Sequence, residues 1–225
     1  MIKIPKKIHI IWVGDEYKRP DQWIKTWYDN HPDWEIKIWG NEELLSFPWK
    51  CKNQIDSYRQ AKMWEGVADI MRYEILHIYG GVYVDADSIS VRPLDDWLLD
   101  SKLFAVYESE KYVPGIIANG FIGCVPGHPI LSRIIQKISK VKIRFRRFSW
   151  RKFKYKKVGA AKMVGPFFFT KIIHQFPWSE FTVLPSILFL PKHFRDQEER
   201  LSSLIYARHE WGTTKHLYET AASDE

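Results

Sequence analysis

One stretch constrains this chain more than any other: Ala68 to Asp87, ADIMRYEILHIYGGVYVDAD. Val67, Ile70, Met71, Ile75 and Ile78 recur at three- and four-residue spacing. That spacing makes one apolar stripe and predicts a long helix over Tyr58–Tyr79. Gly80-Gly81 stops it, and Gly81–Ser88 reads as a strand running into an acidic turn. Residues two apart in a strand share a side, so Asp85 and Asp87 converge where the strand gives way to a loop. In open α/β sheets that is where ligands collect. Two crowded carboxylates repel, and a divalent cation relieves the repulsion most cheaply. Oxygen ligands suit Mg²⁺ or Mn²⁺, which leave positions for phosphate oxygens. Taken alone, Asp-x-Asp also fits a turn in which one Asp caps a helix or bends the chain. Here it closes an apolar strand directly after a long helix. Asp69 and Arg72 lie three apart on one helix face, off the apolar stripe. They read either as an exposed ion pair of little worth or as groups meeting ligand oxygens and a sugar hydroxyl.

The rest of the chain alternates strand and helix signals, which argues for an α/β fold in a single domain over 1–225. Ile8–Val13 is a short apolar run of the kind found in a buried central strand. Pro20–Asn30 carries Trp23, Ile24 and Trp27 at helical spacing, and Trp34–Trp39 alternates like a half-buried strand. Further strands are predicted at Leu103–Tyr107, Gly120–Val125, Phe181–Leu184 and Ile187–Leu190. Helices are predicted at Pro129–Ser139 and Phe167–Gln175, with a weakly structured tail from Thr213.

Charge and aromatic content narrow the function. The net charge is +7, yet the stretch 137–157, KISKVKIRFRRFSWRKFKYKK, holds eleven Lys or Arg and no acid. The remainder is mildly acidic. Phe145, Phe148, Trp150, Phe153 and Tyr155 interleave with those cations. An anionic membrane surface, an acidic acceptor and a plain solvated face all fit such a segment, with nucleic acid a weaker fit. Aromatic residues make up 16% of the chain, which suits stacking on bases and sugar rings as well as a Trp-rich core. Cys51 and Cys124 suggest neither a disulfide framework nor a metal knuckle, so a reducing compartment is expected. The opening apolar run is too short for a signal peptide. No window holds the roughly 18 apolar residues of a membrane span. The expected location is the cytoplasm, peripheral to a membrane.

The block Ala68–Asp87 resembles the DXD-containing sugar transferases. That family includes the yeast initiating α-1,6-mannosyltransferase and bacterial and viral surface-polysaccharide transferases. The block is also similar to the catalytic core of the large glucosylating bacterial toxins. Ile4–Gly14 looks like the family's opening strand, and Asn119-Gly120-Phe121-Ile122 with Gly127-His128-Pro129 like its middle. Gly165-Pro166 and His209-Glu210-Trp211 look like its closing elements. The resemblance implies a GT-A-like nucleotide-sugar-binding fold, a mixed central sheet flanked by helices. It also implies a UDP- or GDP-sugar donor, Mn²⁺ or Mg²⁺, a glycan or glycolipid acceptor and retention of anomeric configuration. By the same resemblance Asp87 is the main metal ligand, and Asp85 meets the ribose and donor sugar and reaches the metal through water. Trp12 stacks on the base, and Asp69 and Arg72 hold the transferred sugar. Tyr83, Asn119 and Gly165 lie at the donor, and His209 is a third metal or diphosphate contact. Family members often carry a second Trp after the late His-x-Trp. Here Thr213-Thr214-Lys215-His216 follows, which leaves Trp211 and His216 as alternatives for closing the site.

Two rivals remain at this level. A haloacid-dehalogenase-type phosphatase also places Asp-x-Asp after an apolar strand, but it wants the motif near the chain start and a distant acidic pair. A catalytically inactive sugar-nucleotide-binding protein would keep the fold without turnover.

Overall fold

The structure, a computed structural model, describes residues 3–143, 159–198 and 203–212. Most of the basic-aromatic stretch 137–157 and everything from Thr213 on, His216 included, lie outside the described residues.

In chain order the strands are β1 Lys7–Ile11, β2 Glu35–Trp39, β3 Gly81–Val84, β4 Ser88–Ser90, β5 Leu103–Ser109, β6 Val113–Cys124, β7 Thr182–Leu184 and β8 Ala207–His209. Six of them form one sheet in the order β2-β1-β3-β6-β5-β7. β1 is parallel to β2 and β3, β6 is antiparallel to β3 and β5, and β7 is parallel to β5. β4 and β8 make a separate antiparallel ladder. This is the mixed, helix-flanked sheet that the family resemblance implies. β1 reads as an unbroken apolar run because both its faces are covered: Ile8 and Ile10 enter one core and Ile11 the other. β3 divides likewise, with Val82 and Val84 on one side and Tyr83 on the other.

The helices described from end to end are α1 Asp21–Asn30, α2 Asn41–Ser46, α3 Lys52–Gln60, α4 Trp64–Tyr79, α5 Pro129–Ser139 and α6 Pro166–Ile173. The single helix expected over Tyr58–Tyr79 is two, α3 and α4. The chain turns at Lys62, in the left-handed region with φ 54°. Tyr58 then packs on Gly66, where a Cβ would overlap its ring. The strand expected over Ile187–Leu190 is instead a 3-10 turn, Ser186–Leu188, set by Pro185 and closed by the Leu188 amide on Pro185 O at 3.2 Å. The strand expected over Gly81–Ser88 ends at Val84, and the acidic turn separates it from β4. α2 and β8 were not foreseen. Among the described residues no helix is long and apolar enough to cross a membrane.

Candidate functional site

Backbone hydrogen bonds bring the acidic turn and the late histidine together at the carboxyl ends of β1 and β3. The Asp85 amide donates to Gly120 O at 3.0 Å, so the turn starts while still held to β6. The β4–β8 ladder sets His209 opposite Ser88. The Glu210 amide donates to Asp87 O at 2.9 Å, and the Gly212 amide to Asp87 Oδ2 at 2.8 Å.

His209 Nε2 then lies 3.3 Å from Asp85 Oδ2 and 3.2 Å from Asp87 Oδ1. One ligand atom from each of the three falls within 4.8 Å of the others. Neighbouring ligands of a six-coordinate ion with ~2.1 Å bonds stand about 3 Å apart, and opposite ones about 4.2 Å. The 3.2 and 3.3 Å separations from His209 match neighbouring ligands, so a small adjustment of the carboxylates would close the group on one divalent cation. Carboxylates suit Mg²⁺ or Mn²⁺, and the imidazole shifts the set towards the softer Mn²⁺. The side chains of Asp85, Asp87 and His209 keep 22%, 13% and 10% exposure, which is sheltered yet reachable. Burial opposes a charge on His209, but Asp87 and Asp85 outweigh it and raise the imidazole to about 10. The Trp211 amide, 3.1 Å from Nδ1, instead favours a neutral ring protonated on Nε2. Both arrangements put a proton on Nε2, between the carboxylates, where a cation would replace it.

Asp69 and Arg72 do not sit on a solvated face. They are 7% and 5% exposed, because their side of α4 packs on β6. Arg72 Nη2 is 3.1 Å from Asp69 Oδ1, and Nη1 is 3.2 Å from Asp85 Oδ1. Nη1 also donates to Asn119 O at 2.5 Å, and the guanidinium lies 4.3 Å from the centre of the Tyr83 ring. Asn119 Nδ2 donates to Asp69 Oδ1 at 2.8 Å, and Tyr83 OH donates to Asp85 Oδ1 at 2.8 Å. Burial alone would raise Asp85, but Arg72, His209 and Tyr83 hold its carboxyl well below the usual range. Burial wins at Asp69 and lifts it to about 6 against Arg72 and Asn119. Gly165 sits behind Asp69, where a Cβ would come 3.1 Å from Asp69 Oδ2, and it does not line the cleft.

The remaining predicted residues, with Asp69, Arg72 and the acidic turn, line one cleft of about 820 Å³. Trp12 stands just past β1, its indole N–H on Asp15 O at 2.8 Å, and Trp64 and Lys62 also line the cleft. Trp211, one of the two alternatives for closing the site, also lines the cleft. Sequence reasoning missed Glu108 on β5. It lines the cleft and, among the described residues, has no hydrogen bond or ion pair. Burial pushes its carboxyl up, against His209 and Arg195. The signal was there: Glu108 falls on the β5 face that otherwise carries Phe104 and Val106 into the core.

Residues 18–104 match the family described as "Glycosyltransferase sugar-binding region containing DXD motif". The chain is 34% identical over 145 residues to inositol phosphoceramide mannosyltransferase 3 of Schizosaccharomyces pombe, covering 61% of this chain and 38% of that protein. It is 26% identical over 226 residues to the initiation-specific alpha-1,6-mannosyltransferase of Candida albicans, covering 87% of this chain and 57% of that one. The chain thus spans well under two thirds of the length of these curated relatives. In fold it is similar to the glycosyltransferase domain from the YGT toxin, with a TM-score of 0.60 over 82% of this chain and 81% of that one, at 8% identity. The GT-A-like fold and the resemblance to DXD sugar transferases are borne out.

Proposed function

We propose, taking residues 18–104 as the sugar-binding region of a DXD-containing glycosyltransferase family, that this chain is a metal-dependent glycosyltransferase. It takes a hexose from a nucleotide-sugar and passes it, with retention, to a hydroxyl of a glycan or glycolipid. One observation carries the reading. Asp85, Asp87 and His209 converge within 4.8 Å at the carboxyl end of β3, in a cleft that also holds a buried arginine. The relatives named as mannosyltransferases make a mannosyl donor the first to test.

Asp85, Asp87 and His209 would hold the cation, Mn²⁺ or Mg²⁺, which when bound supplies positive charge to a diphosphate leaving group. Arg72 adds fixed positive charge in a sheltered site, where pre-placed cations act strongly on developing negative charge. Asp69, kept in place by Arg72 and Asn119, accepts hydrogen bonds from hydroxyls of the transferred sugar. Trp12 flanks the base, and Tyr83 orients Asp85. The segment 137–157 docks on an anionic membrane surface beside a lipid-linked acceptor, on the cytoplasmic side, in surface-glycan synthesis. The matched family and shared fold set the phosphatase reading aside. Turnover separates the enzyme from an inactive binding protein.

The test is release of nucleoside diphosphate from a panel of GDP- and UDP-sugars with Mn²⁺. Turnover of one donor, abolished by EDTA, supports the reading; failure to bind any donor with metal present contradicts it. Proton NMR of the first product reads retention directly. Co-sedimentation with phosphatidylserine vesicles, lost when the basic residues of 137–157 are reversed in charge, tests the docking role. Unchanged sedimentation would sink it.

A further inference from the structure

The roles above leave three cleft carboxylates without a task, Asp15, Glu65 and Glu108, of which Glu108 is the one carried on a strand of the sheet. We infer that Glu108 and Trp211 form the acceptor subsite of this cleft, and that it takes a polyhydroxylated ring, a hexopyranose or a cyclitol. The inference rests on the transferase reading and names the substrate class that reading leaves open.

Strand order carries the argument. Across the sheet the strands run β1, β3, β6, β5. The cleft groups follow that order. Trp12 stands past β1, Asp85 past β3 and Asn119 on β6, and Glu108 is on β5. Adjacent strands are about 4.8 Å apart, so β5 lies about 10 Å beyond β3, on the side away from Trp12. A donor laid with its base at Trp12 and its phosphates at the acidic turn puts its sugar at Asp69 and Asn119. Two strands beyond β3, Glu108 lines the same cleft. It is not part of the Asp85-Asp87-His209 group that converges on the cation position.

Glu108 also lacks what Asp69 and the two carboxylates of the acidic turn have. Asp69 has Arg72 and Asn119, Asp85 has Arg72 and Tyr83, and Asp87 has the Gly212 amide. Glu108 is partly buried and, among the described residues, accepts nothing. A carboxylate that faces the cleft with its lone pairs uncommitted to protein donors can accept from ligand hydroxyls. Trp211 supplies the complementary surface. Its backbone is left-handed, with φ 59°, a conformation a bulky residue holds only when its surroundings enforce it. Here the indole N–H donates to Lys192 O at 2.8 Å and the amide faces His209 Nδ1. Held so, Trp211 lines the cleft, its ring centre 4.6 Å from that of His209. An aromatic residue and an uncommitted hydrogen-bond acceptor in one cleft match a sugar-like ring, which has C–H groups on its faces and hydroxyls at its rim.

The experiment uses the whole chain with Mn²⁺ and the donor it turns over. The probes are methyl α- and β-D-hexopyranosides and myo-inositol. At least one should accelerate nucleoside diphosphate release by the wild-type protein. Glu108→Gln, which keeps size and polarity, should raise the KM for that ring by about 10- to 100-fold, the worth of a hydrogen bond to a charged group. The donor KM should move by less than about twofold, well inside the scatter of a single lost contact. An unchanged ring KM overturns the inference, and so does a donor KM that rises in step. Failure of every ring to accelerate a wild-type protein that does hydrolyse donor overturns it too. Absence of any donor turnover instead overturns the transferase reading, and this inference with it.

Discussion

Gly120 has no side chain, and the Asp85 carboxylate occupies the space a Cβ would fill. Gly120→Ala should therefore displace the Asp85 carboxylate from His209 and loosen it from Arg72, which keeps its pair with Asp69. Donor turnover should fall by about 100-fold, the scale of losing one well-placed electrostatic group, with a loss of stability smaller than that of Arg72→Met. Kinetics and a thermal melt together check this. Arg72 is a different case, because its guanidinium faces Asp69 and Asp85 inside the protein. Arg72→Met leaves both carboxylates uncompensated and should destabilise by about 3–5 kcal/mol. Adding Asp69→Asn should recover part of that, and urea unfolding of the single and double variants measures it. The acidic turn was legible because its spacing and its place after an apolar strand are local facts. The burial of Arg72 was not, because the residues that cover it come from β6, far along the chain.

At the scale of elements, His9 ties the parallel half of the sheet together. Its Nε2–H donates to Gly80 O at 2.9 Å, just before β3, and its Nδ1 accepts from the Trp39 indole of β2 at 3.2 Å. A second proton would face the Trp39 N–H. Burial, only partly offset by Gly80 O, accordingly lowers His9 to about 4. Between its ordinary value near 6.5 and about 4, the unfolded chain takes up a proton that the folded chain refuses. Stability is therefore full above about 6.5 and is lost as the pH falls. The slope from this group approaches ~1.4 kcal/mol per pH unit, about 3 kcal/mol in all. Urea unfolding from pH 7 to 4 should show it, and His9→Gln should flatten the acid limb. An acid limb unchanged in the variant would contradict the assignment. β1, α1 and β3 were legible because each carries a periodic or continuous apolar signal over several residues. β4 and β8 were not, since three-residue strands of mixed polarity have no period to read. Yet their ladder is what delivers His209. The split of α3 from α4 was hidden for a similar reason: the stripe that marks α4 begins only at Val67, after the turn at Lys62.

For the molecule as a whole, fold and cleft follow one logic. The strand order lays groups of different chemistry side by side, from an indole through carboxylates and a buried cation to a free carboxylate. The central claim is that Asp85, Asp87 and His209 together hold a divalent cation in that cleft. Titration of Mn²⁺ into the protein with nucleoside diphosphate present, followed by electron paramagnetic resonance of the free ion, tests it most directly. One saturable site per chain is predicted, lost in Asp87→Ala and weakened in His209→Ala. At about 100 times its dissociation constant the ion should also stabilise the fold by about 2.7 kcal/mol. Binding that is absent from the wild-type protein, or equal in wild type and Asp87→Ala, would contradict the account.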